Sequence, residues 1–184
     1  MKSIENRHHQ LFNRLRSAET RFGRAPGSIC LVAVSKTQSP EVIRRVAALR
    51  QIDFGENQLQ EALRKIEILS DLDCIWHFIG SIQTNKCRDI ATHFDWVHSV
   101  DRLKIANRLS NLRSAAAVPL NIFLQVNLQG EKTKSGITPG ELTSIASAVH
   151  ELPNLLLRGL MAVPVPESNF ERQREVFSKL RELQ

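Results

Sequence analysis

Six short apolar runs, each followed by a stretch with helical spacing, constrain this 184-residue chain more than any other feature. The runs are Ile29–Ser35, Ile52–Gly55, Ile75–Gly80, Trp96–Val100, Asn121–Asn127 and Leu156–Val163. Most are nearly continuous in apolar residues, as strands are when both faces of a parallel sheet are covered. An amphipathic segment, Ile4–Arg21, precedes them, with Leu11, Leu15 and Ala18 on one stripe. Further helices are expected over Pro40–Arg50, Asn57–Leu69, Thr84–His93, Asp101–Arg113, Pro139–Glu151 and Glu167–Leu183. Ser39, Asp101, Thr138 and Ser168 are placed to cap four of them, and Pro40 suits a first helical position.

A strand followed by a helix, repeated six times, requires parallel pairing through right-handed crossovers. No G-x-G-x-x-G follows the first strand, which tells against an open dinucleotide-binding sheet. The expected fold is α/β: an incomplete (β/α) barrel with an N-terminal helix, about six of the eight strands of a complete barrel. Residues 1–184 are read as a single domain lacking the last strand–helix units, because a full barrel takes about 250 residues.

Composition narrows the functional classes. The net charge of +6 comes from basic residues spread along the chain without a block, and only ten aromatics are available for base stacking, so nucleic-acid binding is not expected. No apolar run approaches the roughly 20 residues needed to span a bilayer. The N-terminal segment lacks the apolar centre of a secretory signal, and Glu5 and Glu19 weigh against a transit peptide. Three cysteines with no CxxC spacing exclude a disulfide framework and a zinc ribbon, and favour a cytoplasmic location. Cys30 and Cys74 are read as buried thiols.

In a barrel of this kind, functional groups gather at the carboxyl ends of the strands. Lys36, directly after LVAVS, should lie at the mouth against apolar walls, where desolvation favours a neutral amine able to attack an aldehyde. Its alternative is a solvated loop lysine. Glu56 and Asn57 end the second run, where Glu56 also suits the first turn of a helix. His77 points into the barrel or packs as a satisfied core histidine. The TKSG segment, Thr133–Gly136, brings Lys134 near a possible anion but lacks the spacing of a P-loop.

Taken together, VAVSKT (Val32–Thr37), FGENQLQE (Phe54–Glu61), WHFIGSIQTNK (Trp76–Lys86), SVDRLKIA (Ser99–Ala106), QVN with EKTKSG (Gln125–Gly136) and RGLMAVP (Arg158–Pro164) strongly resemble the pyridoxal-phosphate homeostasis proteins, the YggS/PROSC family. The resemblance covers nearly the whole chain. It implies the barrel of the alanine racemase N-terminal domain and pyridoxal 5′-phosphate held as an internal aldimine on Lys36. It further implies that Asn57 and His77 line the cofactor pocket, that Lys134 is a loop lysine near the mouth that takes part in handing the cofactor on, and that Met161 lies close to the pyridine ring. The implied role is vitamin B6 homeostasis without catalysis, through transient contact with pyridoxal-phosphate-dependent apo-enzymes.

Two departures qualify it. The tyrosine usual after FGEN is Gln58 here. The family's S-x-G-M-S and G-S-x-x-V-R-x-G segments, which supply phosphate-binding amides and an arginine facing the pyridine nitrogen, do not occur in this sequence. A truncated fragment with weak or no cofactor binding is therefore one alternative, and its exposed strand edges would make it prone to associate where a complete barrel would be a monomer. An amino-acid racemase is another, opposed by the absence of any tyrosine.

Overall fold

The computed structural model describes residues 3–131 and 135–184. They fall into two compact units, Met1–His77 and Phe78–Gln184. Six strands, β1 (Ala33–Val34), β2 (Asp53–Glu56), β3 (Ile75–Phe78), β4 (Trp96–Val100), β5 (Leu120–Gln125) and β6 (Leu155–Met161), follow one another in chain order. The pairs β1–β2, β4–β5 and β5–β6 are parallel, as the alternation of strands and helices requires.

The first unit holds α1 (Ile4–Arg21), β1 (Ala33–Val34), α2 (Pro40–Ala47), β2 (Asp53–Glu56), α3 (Leu59–Ile68) and most of β3 (Ile75–Phe78). Ser3 caps α1 by accepting from the Asn6 N–H, and Ser39 with Pro40 opens α2. The core packs Ile43 and Val46 of α2, Phe54 of β2, Leu59 and Ala62 of α3, Leu69 and Trp76, with the Phe54 and Trp76 rings 6.0 Å apart.

The first strand is far shorter than the apolar run that encodes it. The reason lies in where its backbone groups go. The Ile29 N–H donates to Glu19 at 2.9 Å, and the Leu31 carbonyl accepts from the Gln51 side chain at 2.6 Å. Those groups are spoken for before a ladder can form.

The second unit contains a 3-10 turn (Thr84–Lys86), α4 (Cys87–His93), β4 (Trp96–Val100), α5 (Leu103–Leu112), β5 (Leu120–Gln125), α6 (Leu142–His150), β6 (Leu155–Met161) and α7 (Phe170–Glu182). Its sheet has two unlike sides. Val97, Ile122 and Leu124 are fully buried, whereas Trp96, His98, Asn121, Phe123 and Gln125 are half-exposed. On the open side, Phe123 stacks on Trp96 at 5.3 Å and meets the edge of His98 at 4.9 Å. Register shifts interrupt β4 between Val97 and Val100, and β5 against β6 between Ile122 and Phe123.

Several boundaries differ from expectation. Helix α6 begins at Leu142, three residues later than Pro139, after a turn over 139–141 in which Glu141 accepts from both the backbone N–H and the hydroxyl of Thr138. Asn169, not Ser168, caps α7 through the Arg172 N–H, and Arg102, not Asp101, precedes α5. The cysteine reading is also corrected: Cys30 is exposed and Cys74 only half-buried, while Cys87 is the buried thiol. Among the described residues no helix is long and apolar enough to cross a membrane.

Candidate functional site around Lys36

Lys36 lies in the turn immediately after β1, at the carboxyl end of that strand, as expected. It is exposed, however, so the apolar shelter expected for its amine is not what the structure provides. What distinguishes Lys36 is the fixing of its neighbours on both sides.

Ser35, before it, is buried. Its N–H donates to the Gly55 carbonyl at 2.9 Å, its hydroxyl to Glu56 Oε1 at 2.6 Å, and its carbonyl accepts from Lys65 Nζ at 2.7 Å. Thr37, after it, adopts φ 64°, a left-handed conformation that β-branched residues rarely take. Its N–H donates to Glu61 Oε1 at 2.7 Å. The two sides are joined, because Lys65 Nζ also donates to Glu56 Oε1 at 2.7 Å and Glu61 Oε1 at 2.6 Å. The Lys65 hydrogen bond holds the Glu61 carboxyl below its usual range, against a smaller opposing effect of burial, and the Thr37 N–H adds to the lowering.

Alternation along β2 explains which side chains reach this network. Phe54 and Glu56 share one face of the strand, and Phe54 packs beneath α2 with Ile43 and Val46. Glu56 consequently turns into the protein, fully buried, and meets Lys65 on the inner face of α3. It belongs to neither of the places the sequence suggests, a strand-end carboxylate open to a ligand or a first-turn helix residue. Glu56 Oε2 and, at the next residue, Asn57 Oδ1 are buried without a hydrogen-bond partner in the protein. Asn57, one step beyond the end of β2, therefore offers an acceptor still lacking a donor.

The remaining candidates separate. His77 is buried on β3, its Nε2 3.0 Å from Asp53 Oδ1. Asp53 begins β2 and Asn57 follows its end, so the partner of His77 is about 13 Å along the strand from Asn57 at the usual strand rise. The core reading of His77 has this pair in its favour. Met161 ends β6, in register with Gln125. Lys134 lies outside the described residues. An apolar cleft of about 280 Å³ lies between α1, β1 and α2, lined by Leu11, Leu31, Val34, Val42 and Phe54 among others. Its lining suits hydrocarbon better than a phosphate.

Sequence reading missed Lys65 and Glu61. The Glu-then-Lys spacing of four residues is the signature of a helix-surface pair. Only the position of Lys65 between Ala62 and Leu69, on the buried side of α3, hinted that this pair turns inward.

Known proteins place this chain in a class. The alanine racemase N-terminal domain family matches residues 9–184. The chain is 52% identical over 183 residues to a pyridoxal phosphate homeostasis protein of Pseudomonas aeruginosa, spanning all of this chain and 80% of the relative. It is 47% identical over 179 residues to the protein of that name in Escherichia coli, covering 96% and 76% of the two. The chain belongs to the pyridoxal phosphate homeostasis protein family. Among solved structures it resembles PipY of Synechococcus elongatus with PLP bound, at 34% identity and a TM-score of 0.80, over 91% of this chain and 78% of that one.

Proposed function

We propose that this chain binds pyridoxal 5′-phosphate as an internal aldimine on Lys36 and serves vitamin B6 homeostasis in the cytoplasm, without catalysing a reaction. The PLP-bound PipY structure and the relatives named as homeostasis proteins support the cofactor and the role. That none of those relatives is named a racemase supports the non-catalytic reading.

One observation carries the choice of amine within the first unit. Among the described residues up to His77 there are two lysines, Lys36 and Lys65. Lys65 directs its three N–H bonds at three acceptors, which leaves no lone pair for attack. Lys36 is exposed at a strand end and within one residue of that network on either side.

The residues present fit the cofactor in a second respect. The buried Asn57 Oδ1 is an acceptor awaiting a donor, at the end of the strand that pairs with β1. Bound pyridoxal phosphate supplies an aldehyde carbon. Lys36 would be the amine that captures it, its nitrogen replacing the aldehyde oxygen, which would leave as water with the two amine protons. The roles implied for His77, Lys134 and Met161, and the reading of residues 1–184 as one cofactor-binding domain, belong to the same proposal. So does delivery to apo-enzymes by transient contact.

Titration of the purified chain with pyridoxal phosphate tests it. An imine absorbance that borohydride fixes as a mass increment on Lys36, and that Lys36→Ala lacks, is the expected result. Equal absorbance in both proteins overturns the assignment.

A further inference from the structure

Thr37 is the strained point of the first unit. A threonine at φ 64° persists only where its surroundings over-determine it. Those surroundings are the Glu61 carboxylate, which accepts the Thr37 N–H at 2.7 Å, and Lys65, which ties Glu61 to Glu56 and to the Ser35 carbonyl. Ser35 is itself pinned to Gly55 on the neighbouring strand. Lys36 is thus held between two residues whose backbones are anchored, to α3 on one side and to α3 and β2 on the other.

A plain surface loop has no use for such an arrangement. An exposed turn after a strand is satisfied by water. Burying Glu56 and Lys65 beneath it costs desolvation that an apolar pair of the same size would avoid. The expense is understandable if the direction of the Lys36 side chain matters. An exposed lysine has many rotamers, and its amine reaches an aldehyde productively only when the Cα–Cβ vector is fixed towards it.

We propose that Glu61 is a positioning residue for Lys36: by holding the Thr37 N–H it locks the left-handed turn that aims the lysine at its aldehyde. This rests on the reading of Lys36 as the capturing amine. Glu61 acts through the backbone and touches no cofactor.

Wild type, Glu61→Ala and Glu61→Gln, each as the full chain, are compared by three measurements. These are hydrogen exchange at the Thr37 amide, the melting temperature, and the affinity and induced circular dichroism of the imine band on titration with pyridoxal phosphate. Losing a hydrogen bond to a charged acceptor should speed Thr37 exchange and weaken cofactor binding by about tenfold in Glu61→Ala. Its induced circular dichroism should fall, with only a modest drop in melting temperature, because Lys65 keeps Glu56 as a carboxylate partner. Glu61→Gln keeps an oxygen acceptor and should restore most of each loss.

Thr37 exchange that does not respond to Glu61→Ala overturns the clamp. Unchanged affinity and dichroism, beside a clear wild-type imine band, overturn the positioning role while leaving Lys36 standing. A wild type with no imine band overturns both. If Glu61→Ala melts early, Thr37→Pro takes its place, since it leaves the Glu61–Lys65 pair intact while removing the N–H that Glu61 holds and barring a positive φ. Undiminished dichroism in Thr37→Pro then counts against the proposal.

Discussion

Lys65 Nζ lies 2.7 Å from Glu56 Oε1, and the two side chains are 5% and 0% exposed. An ion pair so far removed from water contributes little net stability over an apolar pair, but losing one partner strands the other. The two partners are not equally insured. Lys65 keeps Glu61 as a second carboxylate if Glu56 is lost, whereas Glu56 keeps only the Ser35 hydroxyl among the bonds described above.

Lys65→Met should therefore destabilise the chain by about 3–5 kcal/mol, and Glu56→Leu by less, with the double variant recovering much of the loss. Urea unfolding midpoints at constant slope measure this. Equal costs for the two single variants, adding fully in the double, would contradict a coupled buried pair.

Cys30 should be a sluggish thiol despite its exposure. Partial desolvation, followed by the Asp53 carboxylate beside it, pushes its pKa from 9.0 up to about 11. At pH 8 that leaves about a hundredfold less thiolate than an ordinary cysteine. Iodoacetamide alkylation followed by peptide mass should show Cys30 lagging a free-thiol standard. Asp53→Asn should quicken it.

Glu19 should make the N-terminal segment sensitive to acid. Burial pushes its carboxyl upward, but the Gly27 and Ile29 N–H groups and Arg16 together outweigh that and hold it below 4.5. A carboxyl lowered by folding adds stability that is fully present above its unfolded value, near 4.5, and is lost as pH falls through the folded value. The stability gap between wild type and Glu19→Gln should be widest near neutrality and close in strong acid. Melting curves across pH test this, and a gap that widens on acidification would refute it.

Gly136→Ala should be costly. The residue has φ 144°, and an added Cβ would come within 2.7 Å of the Asn127 backbone nitrogen. Asn127 clasps Glu131 through two side-chain–backbone bonds, and Ile137 bridges to Val126, so the neighbour has little freedom to yield. A loss of about 1–3 kcal/mol is expected, with faster amide exchange at Asn127.

The order of elements was legible because hydrophobic runs and helical stripes are set by local spacing. Strand β4 and helix α1 have the bounds expected of them. Boundaries failed where a side chain competed for backbone groups, as Glu19 and Gln51 did in shortening β1. The placement of Lys36 after a strand was readable from LVAVSK. Its setting was not, because Lys65 and Glu61 come from a helix about thirty residues away, and a Glu–Lys pair four residues apart looks the same in sequence whether it faces water or the core. His77 shows the converse. Its alternation within the strand was plain, but its partner Asp53 carried no motif.

The unlike sides of the second sheet bear on how such a chain can change over time. Ile122 and Leu124 are sealed at 0% exposure, so a substitution there is filtered by packing before any new chemistry can be tried. Asn121, Phe123 and Gln125, each one step away on the same strand, are half-exposed and answer to a looser filter, a ring contact for Phe123 and side-chain hydrogen bonds for the other two. A single strand thus carries a frozen text on one side and an editable one on the other, and new ligand preferences in this lineage are most readily written into the editable letters.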